Sequence, residues 1–238
     1  MFGCYDWKIW AIAKAVCRKG DTIVEVGANV GTETVGFSDI VGSDGKVVSF
    51  EPVPQNLVRL RESIGIGGLD NVQVEEKAVS NEVGRVEFVS PGGPNSGIGH
   101  IDYGDGFRPG RKFTVETTTL DQFLKNTEAR LLMMDVEGAE PLVLQGAENW
   151  IDTYHPLVIV EAHHNKKEMY EYFQRRGYRV YSIERLGLKT PKVEAEAVQY
   201  NWLAIHQNES ELAKKVDRTI KICAWLPAIR GIHPLCRV

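Results

Sequence analysis

The sequence is poor in cysteine: 238 residues hold four, Cys4, Cys17, Cys223 and Cys236, near the two ends. No C-x-x-C pair or zinc spacing joins them, which excludes a disulfide-stapled scaffold and a zinc ribbon and leaves free thiols as the expectation. No apolar run approaches the about 20 residues that cross a bilayer. Asp6 and Lys8 interrupt the opening apolar stretch, so no N-terminal signal is expected and a cytoplasmic location is the default. An excess of positive charge is also missing. The formal net charge is −4, with no global footprint for nucleic acid, and no nucleic-acid partner is expected. Neither an internal repeat nor a dividing linker is visible. One domain over 1–238 is expected, with an N-terminal helical cap (1–20), a catalytic core (21–206) and a C-terminal helix and tail (207–238).

What is present is ordinary in bulk, 43% hydrophobic and 25% charged residues, and specific in detail. "DTIVEVGANVGTE" (21–33) begins as a β-branched run too short for a helix and ends in a turn containing Gly27 and Gly31. Both glycines lack a Cβ, which frees the backbone and permits close approach. "TETVGFSDI" follows as a helix whose first amides point back at the strand end. The complete dinucleotide fingerprint G-x-G-x-x-G is absent, because Asn29 and Thr32 stand at its second and third glycine positions. A ligand without phosphates does not need it. S-adenosylmethionine is such a ligand, a cation whose amino acid end main-chain groups and a carboxylate such as Glu25 can hold. About twenty residues on, the strand in "GKVVSFEPVPQNL" ends at Glu51, where a carboxylate can accept from ribose hydroxyls.

Beyond Glu51, helix and strand alternate. Helices are expected over 55–64, 120–125, 142–147 and 166–175, and strands over 72–75, 131–134, 157–160 and 179–183. Such alternation means a parallel α/β sheet with helices on both faces, and ligands at the carboxyl ends of its strands. Two stretches depart from it. Between "RVEFV" and "KFTVETT" lies "SPGGPNSGIGHIDYGDGFRPG", with seven glycines and three prolines in 21 residues, whose His100, Tyr103, Phe107 and Arg108 are candidate substrate contacts. The tail from Glu209 contains a basic amphipathic helix, for which docking on its own domain is favoured over membrane-surface contact.

"LLMMDVEGAEPLVLQGAENWI" carries the sharpest constellation: an apolar strand ends at Asp135, Glu137 and Glu140 follow, and Pro141 opens a helix. "LVIVEAHHN" likewise ends a strand at Glu161, followed by His163 and His164.

In order and spacing, "VEVGANVGTET", "SFEPVP", "TTTLDQFL", "MMDVEGAEPLVLQGA" and "PLVIVE" resemble the FkbM-type S-adenosylmethionine-dependent methyltransferases, over roughly residues 20–205. The resemblance implies a Rossmann-like class I methyltransferase fold of seven strands, mostly parallel, with "VQYNWLAIH" as the antiparallel last strand. It further implies hydroxyl methylation of a small molecule, a sugar or glycosylated metabolite. Gly27, Asn29 and Gly31 would hold the methionine part, Glu51 the ribose, and Ala78 in "EKAVS" the neighbourhood of the adenine.

Methyl transfer to oxygen needs a positioned, more anionic hydroxyl. Asp135, Glu137, Glu161 and His163 are the candidates to supply it, as a general base or, for Asp135 and Glu161, as ligands of a divalent ion such as Mg2+; Asp135 is also a candidate to bind the cofactor's amino group. A nucleic-acid or peptide methyltransferase and an NAD-dependent oxidoreductase are the alternatives.

Overall fold

A computed structural model describes residues 7–90, 100–101, 111–162, 164–191 and 201–225. The parallel strands β1 (Thr22–Val26), β2 (Lys46–Phe50), β3 (Val72–Glu75), β8 (Leu131–Met134) and β9 (Leu157–Glu161) form one sheet with β10 (Tyr178–Glu184), β11 (Gly187–Lys189) and β12 (Asn201–His206). The order is β11-β10-β12-β9-β8-β1-β2-β3. The expected seven strands are there, and β12 runs antiparallel between β9 and β10. An eighth is added: β11 turns back on β10 as a short antiparallel edge.

Alternation along each strand sends side chains to two layers. Ile23, Leu131, Leu157 and Leu203 join one core with helices α1 (Trp7–Val16), α2 (Thr32–Val41) and α8 (Ser210–Trp225). Val24, Leu132, Val158 and Ala204 join the other, covered by α4 (Leu120–Leu124), α5 (Glu140–Gln145), α6 (Glu148–Tyr154) and α7 (Lys166–Arg175). Helix α3 (Pro54–Gly67) opens on a proline at its first turn, and its Leu57 and Leu60 pack with Ala28 beside Val74.

Both chain-end helices belong to the first layer. Helix α1 packs against α2 and α8, burying Ile9, Trp10, Ile12 and Ala13, so it is built into the core. The apolar face of α8, Val216 and Ile220, is buried there too, as its favoured docking requires. Arg130 ties this corner together: its Nε donates to Val16 O at 3.1 Å, and its Nη1 and Nη2 donate to the two carboxylate oxygens of Glu209 at 2.6 and 2.7 Å.

A second sheet combines β4 (Ala78–Val79), β5 (Gly84–Ser90), β6 (His100–Ile101) and β7 (Arg111–Thr118) in the order β4-β7-β5-β6. The two β-like runs are thus real and pair antiparallel with each other. Their buried Phe88 and Val115 pack on Val53, Ala78 and Ala139, closing the sheet over the carboxyl ends of β2 and β8. Of the intervening segment, 91–99 and 102–110 lie outside the described residues, so the expectations for Tyr103, Phe107 and Arg108 fall there.

Candidate active site

Strand register sets the geometry. Val26 pairs with Phe50 and Met134, and Met134 with Val160. The next residue on each strand, Gly27, Glu51, Asp135 and Glu161, therefore falls on one line across the carboxyl edge of the sheet. Neighbouring strands lie about 4.8 Å apart, so acids in this row stand side by side.

Glu51 is 3% exposed. Its Oε2 accepts from Asn29 N at 2.8 Å, and its Oε1 accepts from Val53 N at 2.8 Å and Asn56 Nδ2 at 3.2 Å. A carboxylate has about four acceptor positions, so these three fix the group and leave capacity on Oε2. Burial pushes its pKa up to about 7, against the pull of these donors. Glu25 sits two residues back on β1, 1% exposed, and its Oε2 accepts from Thr34 Oγ1 and Ser49 Oγ, both at 2.6 Å. Its Oε1 is buried without a hydrogen-bond partner among the described residues. Burial raises this carboxyl as well, to about 7.

Two cavities meet at this edge, and Gly27 and Asp135 line both. The first, about 600 Å³ including its open mouth, has Glu51 at one side and apolar walls from Ala78, Val79, Phe88 and Ala139. The second, about 650 Å³ also including its open mouth, is lined by Glu25, Glu33, Asp135, Glu161 and Asn201, with Ile9 of α1 at its wall. Asp135 binds its proton far more tightly than an ordinary aspartate, first because it is buried and then because Glu161 stands beside it and hydrogen-bonds to it.

The glycines answer to the chain itself. Gly27 has φ +91°, and a Cβ there would lie 1.9 Å from the carbonyl oxygen of Asp135. Gly31 has φ +88° and would drive a Cβ to 2.6 Å from Leu60 Cδ1. Gly27 is required by the close passage of the β8 backbone and Gly31 by its left-handed φ. Asn29 and Glu137 also take the left-handed conformation, with φ 51° at each. Both line the first cavity.

The structure therefore brings together Glu25, Gly27, Asn29, Glu51, Ala78, Asp135, Glu137 and Glu161; Gly31 lies behind the turn at the head of α2. His163 lies outside the described residues. Asp135 and Glu161 do meet, but among the described residues no group of three or more His, Cys, Asp or Glu side chains is placed to hold a metal ion. Asp135 and Glu161, the candidate ligands of a divalent ion, come together as a pair in which burial and the hydrogen bond between them favour the protonated form. Thr34, Ser49, Asn56 and Phe88 were not singled out by sequence reasoning. Asn201, also not singled out, reaches the site because antiparallel pairing sets it opposite Glu161.

Comparison with known proteins bears on the family and the fold. The family described as the methyltransferase FkbM domain matches residues 25–180. A 2-O-methyltransferase, NoeI, of Sinorhizobium fredii is 26% identical over 168 residues, covering 63% of this chain and 65% of that protein. Protein-L-isoaspartate O-methyltransferase 2 of Archaeoglobus fulgidus is 40% identical over 57 residues, 24% of this chain and 26% of that one. The chain thus spans less than two thirds of the length of these curated relatives. Among solved structures, the methyltransferase FkbM from Methylobacillus flagellatus superposes with a TM-score of 0.55 at 15% identity, over 78% of this chain and 43% of that one. A putative rRNA methylase from Clostridium thermocellum gives 0.51 at 11% identity, over 83% and 92%. These two likenesses are to the fold, which is that of the class I methyltransferases. With the row of strand-end acids in that fold and the family match over 25–180, this chain belongs to the FkbM methyltransferase family.

Proposed function

We propose that the protein is an O-methyltransferase that uses S-adenosylmethionine to methylate a hydroxyl of a small molecule, a sugar or glycosylated metabolite. One observation carries the reading. Two cavities share Gly27 and Asp135, one with Glu51 at its side and an apolar wall of Ala78, Val79, Phe88 and Ala139, the other acid-lined with a buried oxygen of Glu25 that has no partner among the described residues. A ligand with a flat nucleoside at one end and a cationic amino acid at the other matches both. The named activity of the NoeI relative supports oxygen as the atom methylated.

In this reading residues 21–206 are the catalytic core, and α1 supplies Ile9 to the wall of the second cavity. When bound, S-adenosylmethionine supplies a methyl group on a positively charged sulfur. Ala78 and Phe88 enclose the base, Glu51 accepts from the ribose through Oε2, and Glu25 Oε1 accepts from the ammonium. Backbone groups of the turn from Gly27 to Gly31, with Asn29 at its centre, hold the rest of the amino acid. The acceptor hydroxyl lies against Asp135, Glu137 and Glu161. Attack by that oxygen on the methyl carbon would leave the C–S electron pair on sulfur, and the ionised carboxylate of the Asp135–Glu161 pair would take up the hydroxyl proton. A carboxyl whose proton affinity is raised by burial and a like-charged neighbour is suited to that exchange near neutral pH. His163 is a further candidate base.

The test is titration calorimetry with S-adenosylmethionine and, separately, NAD, on native protein and Glu51→Ala, followed by acceptor screening with and without Mg2+. Binding of the sulfonium ligand that is lost in the variant is expected. Heat from NAD alone would refute the assignment, and turnover on a nucleic acid or peptide but no hydroxylated metabolite would replace the substrate class.

A further inference from the structure

The turn between β8 and α5 lines the site and has an unusual backbone. Val136, Glu137 and Ala139 face the first cavity, while Glu137 (φ 51°) and Gly138 (φ +103°) are both left-handed. Two consecutive residues in that region cost about 1 kcal/mol or more for the one with a side chain, and persist only where surroundings impose them. The imposing group is visible. Glu140 is 0% exposed, and its Oε1 accepts from Val136 N at 3.3 Å and from Gly138 N at 3.2 Å. One buried oxygen thus gathers the amides on either side of Glu137.

We propose that Glu140 is a positioning residue for the methyl-transfer site: by holding the Val136 and Gly138 amides it fixes the turn that walls the nucleoside cavity and aims Glu137 at the acceptor. This rests on the reading that S-adenosylmethionine occupies the two cavities. Glu140 does not itself line either cavity, which separates its role from those of Asp135, Glu137 and Glu161. Without the acceptor oxygen the two amides lose their common anchor and the left-handed pair relaxes. The wall then shifts, and displacements of about 1 Å at such sites cost on the order of 100-fold.

The test compares full-length Glu140→Ala, Glu140→Gln and Gly138→Ala with Val216→Ala, which cavitates the core far from the turn. S-adenosylhomocysteine affinity and the kcat and KM of methyl transfer are measured beside thermal midpoints. Glutamine keeps an acceptor oxygen, so Glu140→Gln should stay within about threefold of native affinity, while Glu140→Ala loses at least about tenfold. Gly138→Ala has ordinary space for its Cβ, 3.4 Å from His164 Cδ2, but strains the same φ, and should reproduce the loss. Val216→Ala should lower the midpoint and leave affinity unchanged. If Glu140→Ala weakens binding no more than Val216→Ala does, the role is structural and the proposal fails. Should Glu140→Ala not fold, native affinity in Gly138→Ala would overturn it equally. Native protein that binds no S-adenosylhomocysteine would instead sink the cofactor reading beneath it.

Discussion

Glu51→Gln is the most informative perturbation, because its effect must depend on pH in a calculable way. The carboxyl carries a pKa of about 7 without ligand, raised by burial. In the proposed role, ribose hydroxyls donate to its ionised form, so binding would draw on the ionised fraction alone. With a pKa of about 7, that fraction is about 10% at pH 6 and about 90% at pH 8, a tenfold difference worth about 1.4 kcal/mol. The sign follows: affinity for S-adenosylmethionine rises with pH and binding releases a proton from Glu51. The ligand's own amine titrates in both proteins, so the native-to-variant ratio of dissociation constants isolates this residue. That ratio should widen by about tenfold from pH 6 to pH 8, since near pH 6 protonated Glu51 already resembles glutamine. Calorimetry in buffers of different ionisation enthalpy reads affinity and proton release together. A ratio constant across the range, with no difference in protons released, would refute the claim that this carboxylate receives the ribose.

Without ligand, Glu25 and Glu51 hold protons more tightly folded than unfolded, both at about 7 against an ordinary 4.5. The native state then binds more protons between those values, so stability should fall as pH rises from about 5 to 7.5, and Glu25→Gln should flatten thermal midpoints over that range. Gly27→Ala should cost several kcal/mol or prevent folding, its Cβ being directed at the Asp135 carbonyl at 1.9 Å; a midpoint within about 2 °C of native would contradict this. Phe88→Ala should weaken cofactor binding about tenfold, with equal fluorescence-titration affinity as the disproof. Arg130→Ala should destabilise by about 1 kcal/mol in denaturant melts, a pair about one third exposed being discounted for screening, and an unchanged midpoint concentration would show the bidentate contact to be idle.

The acids at the site were legible because each ends an apolar run: Glu51 after Val47–Phe50, Asp135 after Leu131–Met134, Glu161 after Leu157–Val160. Period and a terminal charge are local signals. The helix break between α5 and α6 was not local. Expected over 142–147, α5 spans Glu140–Gln145, and a Cβ on the following Gly146 would lie 2.0 Å from the carbonyl of Ser80. A residue 66 positions away dictates that glycine. The two strands of the second sheet could be read, but their closure over Glu51 depends on Phe88 meeting Val53 and Ala139, contacts that no periodicity encodes. β4, two residues long, and β11, three, are shorter than any window that detects alternation. Thr34 and Ser49 were invisible as partners of Glu25 because hydroxyls so placed serve caps and turns far more often.

The packing of α1 on α8 sets an order of events during synthesis. At about 5–20 residues per second, on the order of 10–40 s separate the emergence of Trp7–Val16 from that of Ser210–Trp225. Through that interval Ile9, Ile12 and Ala13 have no Val216 or Ile220 to cover them. Ile9 also lines the acid cavity. The apolar face of α1 is therefore fully covered only once α8 docks, and a ribosome-bound chain ending before α8 would present that greasy helix to chaperones.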